Sequence, residues 1–438
     1  MTILRTLMKG RPAPVFELSR ELAWGATHAD VKQARHAIFL MATIGDPGSW
    51  SGRARESLTP EPETLLALIE TSGLRGRGGA GFPAATKLRA VRDIGRETGR
   101  APVVVANEEG EPGSVKDRWL LRQRPGLVLR GLLHAVAITG ADRGYVYVSD
   151  PAGAHAVRHA VREAAPSVPI EIVEVEHTYV AGEETAVVRR IDGGPALPRA
   201  KPPRPFESGV GAAPTLVANV ETLARIALLP TDPDAADSLL VTVSARTAEP
   251  VLAEVGRDTT LLELARALDL PGLPTAILMG GLFGGILGPA RLTLPLGPVA
   301  LKAAGTGLGC GAVRFLYKGE CPVAVVGDAQ DRLAAEGSRQ CGVCVSGTAA
   351  LARTMRSLRN GLAGPEDLAN LRRWAGSLPG RGACGLVDAA AHLAGSLLAD
   401  FPDLVRSHLG RPCQVCAKTP PDSGAHLVVA VPEQTEER

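Results

Sequence analysis

At 438 residues, with 45% hydrophobic and 21% charged residues, the chain is long enough for roughly two to four domains and has the usage of an ordinary globular protein. Its 48 Lys and Arg against 46 Asp and Glu leave no basic field for nucleic acid or anionic lipid, and neither is expected as a partner. Seven cysteines, an odd number, in a chain whose first residues, Met1–Pro14, lack an apolar signal region, argue against a disulfide framework and for thiolate chemistry in a reducing cytoplasm.

From about residue 100 the pattern alternates strand and helix. Val103-Val104-Val105 is a short apolar run suited to a strand buried on both faces. Leu129, Leu132, Leu133, Val136 and Ala137 then form one apolar helical stripe, which Gly140 ends. Tyr145–Val148 reads as strand, Ala154–Ala165 as helix and Ile170–Val175 as strand, an α/β layering. Six prolines in residues 195–214 predict a long ordered connection without a regular element. Leu240–Ser244 and Val251–Val255 read as two strands, and Thr260 with Glu263 makes a capping box before a Leu261–Leu268 helix. The uncharged run Leu270–Ala290 is broken by Gly and Pro and reads as buried strand and turn rather than a spanning helix. After about residue 331 the character turns helical: Pro365 suits a first turn, and Leu368, Leu371 and Leu378 recur near helical spacing. Prolines and charges after Ala417 predict a loose tail.

Four segments carry candidate chemistry. Ser72–Pro83, followed by Lys87, is dense in glycine, so successive amides can cradle a phosphate with arginine and lysine supplying charge. Its spacing matches neither the dinucleotide fingerprint nor the ATP-type loop, and a tight surface loop is an equal reading. Asn107-Glu108-Glu109-Gly110-Glu111-Pro112-Gly113 follows a predicted strand, where α/β sheets bind ligands, and reads equally as a solvated acidic turn. Tyr179–Thr185 again follows a strand, and Val217–Thr222 contains Asn219.

Together and in this order the segments resemble the flavin-binding subunit of respiratory complex I and its relatives in NAD-linked hydrogenases and formate dehydrogenases. The resemblance spans residues 60–400 and implies an α/β fold: a lead segment over 1–60, an FMN- and NADH-binding α/β domain over 61–235, a β-grasp domain over 236–330, a helical iron–sulfur bundle over 331–410 and a tail over 411–438. It implies an NADH:acceptor oxidoreductase subunit in which Gly76, Arg77, Gly78, Gly79 and Lys87 hold the FMN phosphate. Asn107, Glu108, Glu109, Gly182, Glu183 and Asn219 would surround the ribityl chain and the nicotinamide side, and Phe82, Tyr179 and Lys201 would contact NADH. Glu111 and Glu184 would be the catalytic carboxylates. Electrons would leave through a [4Fe-4S] cluster to a ferredoxin-like or quinone-linked redox subunit. The chain would then sit in a cytoplasmic hetero-oligomer, associated with a membrane only through partners.

Several positions depart from that family. Ala106 and Ala218 replace asparagines, and Ala90 and Arg204 replace aromatics that sandwich the NADH adenine. Each lost stacking pair is worth about 0.5–1.5 kcal/mol, which the planar guanidinium of Arg204 can partly offset. The cluster motif reads Cys341, Cys344, Gly347 and Cys384, one thiolate short. Cys413-Gln414-Val415-Cys416 offers a replacement, so the expected ligands are Cys341, Cys344 and Cys384 with Cys413 or Cys416. Zinc on the two Cys-x-x-Cys pairs, or free thiols, are the alternatives. Cys310 and Cys321 read as small hydrophobes, and His155 and His159 as solvated. Two further functions stay open: a flavoprotein relay that does not use NADH, and a scaffold whose cofactor sites have decayed.

Overall fold

A computed structural model describes residues 60–419, apart from 267 and 269–271, together with 421 and 427–429. The expected lead segment lies outside them but for its last residue. Helices α1 (Pro62–Thr71) and α2 (Ala84–Thr98) flank the glycine-rich stretch. Strand β1 (Val103–Asn107) is buried at every position, with Val104 and Ala106 in one core and Val103 and Val105 in another, as its unbroken apolar run requires. Helices α3 (Lys116–Gln123) and α4 (Pro125–Thr139) lead to β2 (Arg143–Val148), α5 (Pro151–Ala164) and β3 (Ile170–Glu174). After α6 (Glu184–Ile191) and the proline-rich connection come β4 (Thr215–Asn219) and α7 (Val220–Leu228).

The strands form one parallel sheet in the order β3-β2-β1-β4. Helix α4 ends at Gly140, whose φ of 71° supplies the left-handed cap expected there. Its buried surface is wider than one stripe, because α2, α5 and α7 all pack on it: Leu127, Val128, Leu132 and Ala135 are buried, whereas Ala137 of the expected stripe is exposed. Helix α5 begins three residues before the expected start. Asp150 caps it by accepting from the Gly153 N–H at 2.9 Å, and Pro151 occupies its first turn. His155 and His159 face outward on it.

A second sheet follows, built from β5 (Ser238–Ala245), β6 (Ala248–Gly256), β7 (Ala276–Met279), β8 (Ile286–Leu287) and β9 (Ala312–Leu316) in the order β6-β5-β9-β7-β8. β5 and β9 pair in parallel, and the remaining pairs are antiparallel. Helix α8 (Leu261–Arg266) starts on the expected capping box: the Thr260 N–H donates to Glu263 Oε2 at 2.7 Å and the Glu263 N–H to Thr260 Oγ1 at 3.3 Å. After the short α9 (Pro298–Ala303), a bundle of α10 (Pro322–Ala335), α11 (Ala349–Arg359), α12 (Pro365–Ser377) and α13 (Leu386–Asp400) closes on a single apolar core. Short helices α14 (Pro402–Ser407) and α15 (Gln414–Lys418) finish it. The tail is not wholly loose. Leu427 and Val429 are buried in the two main apolar cores, and the Val429 N–H donates to Pro112 O at 2.9 Å.

Candidate functional site

The chain runs from β1 outward through β2 to β3, while β4 lies on the other side of β1. Ligands of open α/β sheets bind beyond the carboxyl ends of the strands at such a reversal. Two asparagines stand there: Asn107 ends β1, Asn219 ends β4, and the two are register partners. Asn107 Nδ2 donates to Gly182 O at 2.9 Å, and its Oδ1 accepts from the Glu109 N–H at 3.2 Å. Asn219 caps α7 by accepting from the Glu221 N–H at 3.0 Å.

The glycine-rich loop arches over this point. It is pinched at its base, where the Gly76 N–H donates to Phe82 O at 2.8 Å and the Ala84 N–H to Leu74 O at 2.9 Å. A Cβ at Gly78 would stand 3.2 Å from Asn219 Cβ, so the loop backbone lies directly on the asparagine. The N–H groups of Gly78, Gly79 and Ala80 donate to no group among the described residues, which leaves a row of amides for an anion. Lys87 Nζ reaches the same region, 2.8 Å from Val217 O and 3.5 Å from Glu184 Oε2. Arg77 behaves otherwise than expected. Its Nη2 donates to Ala236 O at 2.6 Å and Ser238 O at 3.0 Å, and its backbone N–H donates to Thr222 Oγ1 at 2.8 Å. Burial lowers the guanidinium to about 10, and the side chain ties the loop to the second sheet instead of meeting a phosphate.

The acidic loop is not a solvated turn: Glu108, Glu109 and Glu111 are 2%, 6% and 8% exposed. The Gly182 segment covers it so closely that a Cβ on Gly182 would stand 2.8 Å from both Glu109 Cβ and Glu109 O. Glu109 Oε2 lies 3.0 Å from His177 Nδ1, whereas its Oε1 is buried with no partner among the described residues. Glu108 turns away toward β2, where its Oε2 accepts from the Ser149 N–H at 2.9 Å. Burial, reinforced by Glu109, pushes the Glu108 carboxyl up to about 7, and burial pushes Glu111 up to about 8. Glu111 accepts from the Leu282 N–H and from the Tyr179 hydroxyl, the latter at 3.4 Å. Glu183 caps α6, accepting from the Thr185 N–H at 2.8 Å, and pairs with Lys201 at 2.7 Å. Glu184 sits between Lys201 at 3.0 Å and Lys87 at 3.5 Å; burial would raise its carboxyl, but the two ammonium groups outweigh it and hold it low. Phe82 and Arg204 are exposed.

Beneath the asparagines lies a charged layer outside the expected set. Lys116 Nζ is 2.6 Å from Asp117 Oδ1 and 3.2 Å from both Glu221 Oε2 and Asn219 Oδ1, and Asn219 Nδ2 donates to Asp117 Oδ2 at 2.9 Å. Arg225 then bridges Glu221 and Glu254. The one signal in the sequence is Glu221 and Arg225 at i and i+4 in an otherwise apolar helix, a spacing that reads as an exposed pair until the fold buries it.

Residues 69–228 match the family described as Nuo51 FMN-binding domain, and residues 324–408 match the NADH-ubiquinone oxidoreductase-F iron-sulfur binding region. The F subunit of NADH-quinone oxidoreductase from Streptomyces coelicolor is 30% identical over 392 residues, covering 82% of this chain and 86% of that protein. The chain belongs to the family of NADH-quinone oxidoreductase F subunits. A Rhizobium meliloti member, the F 2 subunit of its NADH-quinone oxidoreductase, is 28% identical over 80% of this chain and 90% of its own length. The crystal structure of NAD+-reducing [NiFe]-hydrogenase in the H2-reduced state superposes with a TM-score of 0.71 at 30% identity, over 80% of this chain and 63% of that one. This chain thus spans less than two thirds of the hydrogenase chain. No helix among the described residues is long and apolar enough to cross a membrane.

In the iron–sulfur region of this NADH-quinone oxidoreductase relative, Cys341 precedes a π-helical turn over 343–348 that contains Cys344, and Cys384 precedes α13. The Cys384 thiol is pushed up by burial and, to a lesser degree, by nearby Cys344, Glu183 and Cys341. Among the described residues, Cys341, Cys344 and Cys384 do not come together as a set that could share a single ion. At Gly347 a Cβ would meet the Leu378 methyls at 3.3 and 3.4 Å. The expected replacement ligands go elsewhere. Cys413 and Cys416 lie with Cys321 and His408 in a group whose ligand atoms are all within 4.8 Å, and this group does not include Cys341, Cys344 or Cys384. Cys321, read from the sequence as a plain hydrophobe, is part of it because the start of α10 is buried in the same core as Cys416, with His408 between the two sulfurs.

Proposed function

We propose that this chain oxidises NADH with FMN and passes the electrons through an iron–sulfur centre held by Cys341, Cys344 and Cys384. The observation that carries the reading is the row of amides at Gly78, Gly79 and Ala80, without partners among the described residues and laid over the reversal point between Asn107 and Asn219. A phosphate fits it by charge and by donor geometry. Bound FMN accepts two electrons as hydride and releases them singly. The protein's part is placement. The amides and Lys87 hold the phosphate end, while Asn107 and Gly182 lock the acidic loop and the Gly-Glu-Glu turn into one wall. Glu109 Oε1, buried and unpaired among the described residues, is an acceptor for a ribityl hydroxyl. Glu184, kept ionised by Lys87 and Lys201, stands at the partly open side where a dinucleotide would enter. Glu111, shielded behind Tyr179, supports that wall through Leu282.

The receiving partner is a soluble ferredoxin-like or other redox subunit in a cytoplasmic hetero-oligomer, by analogy with relatives that are named as subunits. Protein purified anaerobically and supplied with FMN should be yellow and bleach on NADH addition, and failure to bind flavin would end this reading. Ala90 in place of an aromatic favours a second reading, a relay reduced by another redox protein. Flavin bleached by dithionite but not by NADH would select it.

A further inference from the structure

The described residues bring Cys321, His408, Cys413 and Cys416 together from three places in the chain. Cys321 ends the connection from β9 and caps α10, His408 follows α14, and Cys413 caps α15, which carries Cys416. His408 is 0%, Cys321 4% and Cys416 9% exposed, so the site is closed to solvent on most sides. His408 Nε2 lies 3.6 Å from Cys321 Sγ and 3.5 Å from Cys416 Sγ. Its other ring nitrogen, Nδ1, is 2.8 Å from Leu404 O, a bond that only Nδ1–H can make. In the neutral ring Nε2 therefore carries a bare lone pair, aimed at the space the sulfurs surround.

We propose that these four residues bind one structural zinc ion in a Cys3His site, separate from the flavin and the iron–sulfur centre and independent of the function proposed above. Three observations carry it. The first is the edge length. A tetrahedral zinc with Zn–S of about 2.3 Å and Zn–N of about 2.0 Å places nitrogen and sulfur about 3.5 Å apart, which both measured distances match. The second is hydrogen bonding: one lone pair cannot accept well from two thiols at once, whereas a single ion between them satisfies the nitrogen and both sulfurs. The third is support around the ligands. Leu404 O fixes the His408 tautomer, and the Cys416 N–H donates to Cys413 Sγ at 3.4 Å, as expected for a sulfur carrying thiolate charge. All four ligand atoms lie within 4.8 Å of one another, which leaves room for one ion but not for a cluster of irons with ligands on separate corners. The consequence is mechanical. The ion would join the start of α10 to the chain after α14, closing a loop of 87 residues that contains the whole iron–sulfur bundle.

Full-length protein from zinc-sufficient culture should hold about one zinc per chain in addition to iron, with three sulfurs and one nitrogen in the zinc X-ray absorption spectrum. Cys413→Ser and His408→Ala should lose zinc, whereas His408→Cys and Cys341→Ser should keep it. Should Cys413→Ser fail to fold, the wild-type spectrum still decides. Zinc far below one per chain, iron in its place, or zinc retained in a folded Cys413→Ser protein would overturn the proposal.

Discussion

Replacing Lys116 by methionine tests whether the buried charge layer holds the flavin site together. Lys116 is 1% exposed. Burial alone would lower its ammonium, but Asp117 and Glu221 outweigh that and keep it charged. Around it, three cations (Arg77, Lys116 and Arg225) balance three carboxylates (Asp117, Glu221 and Glu254), all of them buried. Lys116→Met fills a similar volume but leaves those three carboxylates against two guanidinium groups. Removing one partner of such a buried pair costs about 3–5 kcal/mol, because the other charge is left uncompensated. In a unit of 150–250 residues that amounts to a drop in Tm of roughly 6–20 °C. Asn219 also loses its Nζ partner, so flavin affinity should fall with stability. Thermal unfolding by circular dichroism and FMN titration by fluorescence, both at pH 7, measure the two effects. Adding Asp117→Asn to Lys116→Met removes one carboxylate, restores neutrality and should recover part of the loss. A Lys116→Met protein within about 1 kcal/mol of wild type, or a double variant no better than the single one, would show that the layer does not act as a charge-balanced unit.

The pH response of the flavin-free protein follows from Glu111 and Glu108. Their carboxyls are pushed up to about 8 and about 7 from an ordinary 4.5, so between pH 4.5 and 8 the folded chain holds protons that the unfolded chain has released. Stability should therefore fall as pH rises through that window and level off above it, with Glu111 accounting for about 4–5 kcal/mol. Glu111→Gln should flatten most of the slope in urea titrations at a series of pH values, and an unchanged slope would reject the assignment. Gly182→Ala places a Cβ 2.8 Å from Glu109 backbone and side-chain atoms, so it should cost about 1–3 kcal/mol and weaken FMN binding, read as a lower flavin content on purification. Gly347→Cys puts a thiol where the cluster lacks one, its Cβ displacing Leu378 methyls by a few tenths of an ångström. Iron per chain after reconstitution should rise relative to wild type, and no gain would mean that the cluster does not use that corner.

Much of the molecule is legible in the sequence because its signals are local. The unbroken valines of β1, the Thr260–Glu263 capping box, Pro365 in a first turn and Gly140 at a helix end each encode their structure within a few residues, and the structure has each of them in that place. The order of the glycine-rich, acidic and Gly-Glu-Glu segments likewise carries the family. Side-chain destinations are not local. Arg77 reads as a phosphate partner until the second sheet supplies two carbonyls for it, and the acidic loop reads as solvated until Gly182 covers it. Cys321 and His408 stand 87 residues apart, so no spacing could connect them. Cys413 and Cys416 lack only geometry to choose between two sets of thiols, and the packing of α10 against the end of the bundle makes the choice. Short-range periodicity and capping determine elements because their energetics lie within one or two turns of chain. Burial, charge pairing and ligand sets depend on which distant surfaces meet, and only the tertiary structure decides that.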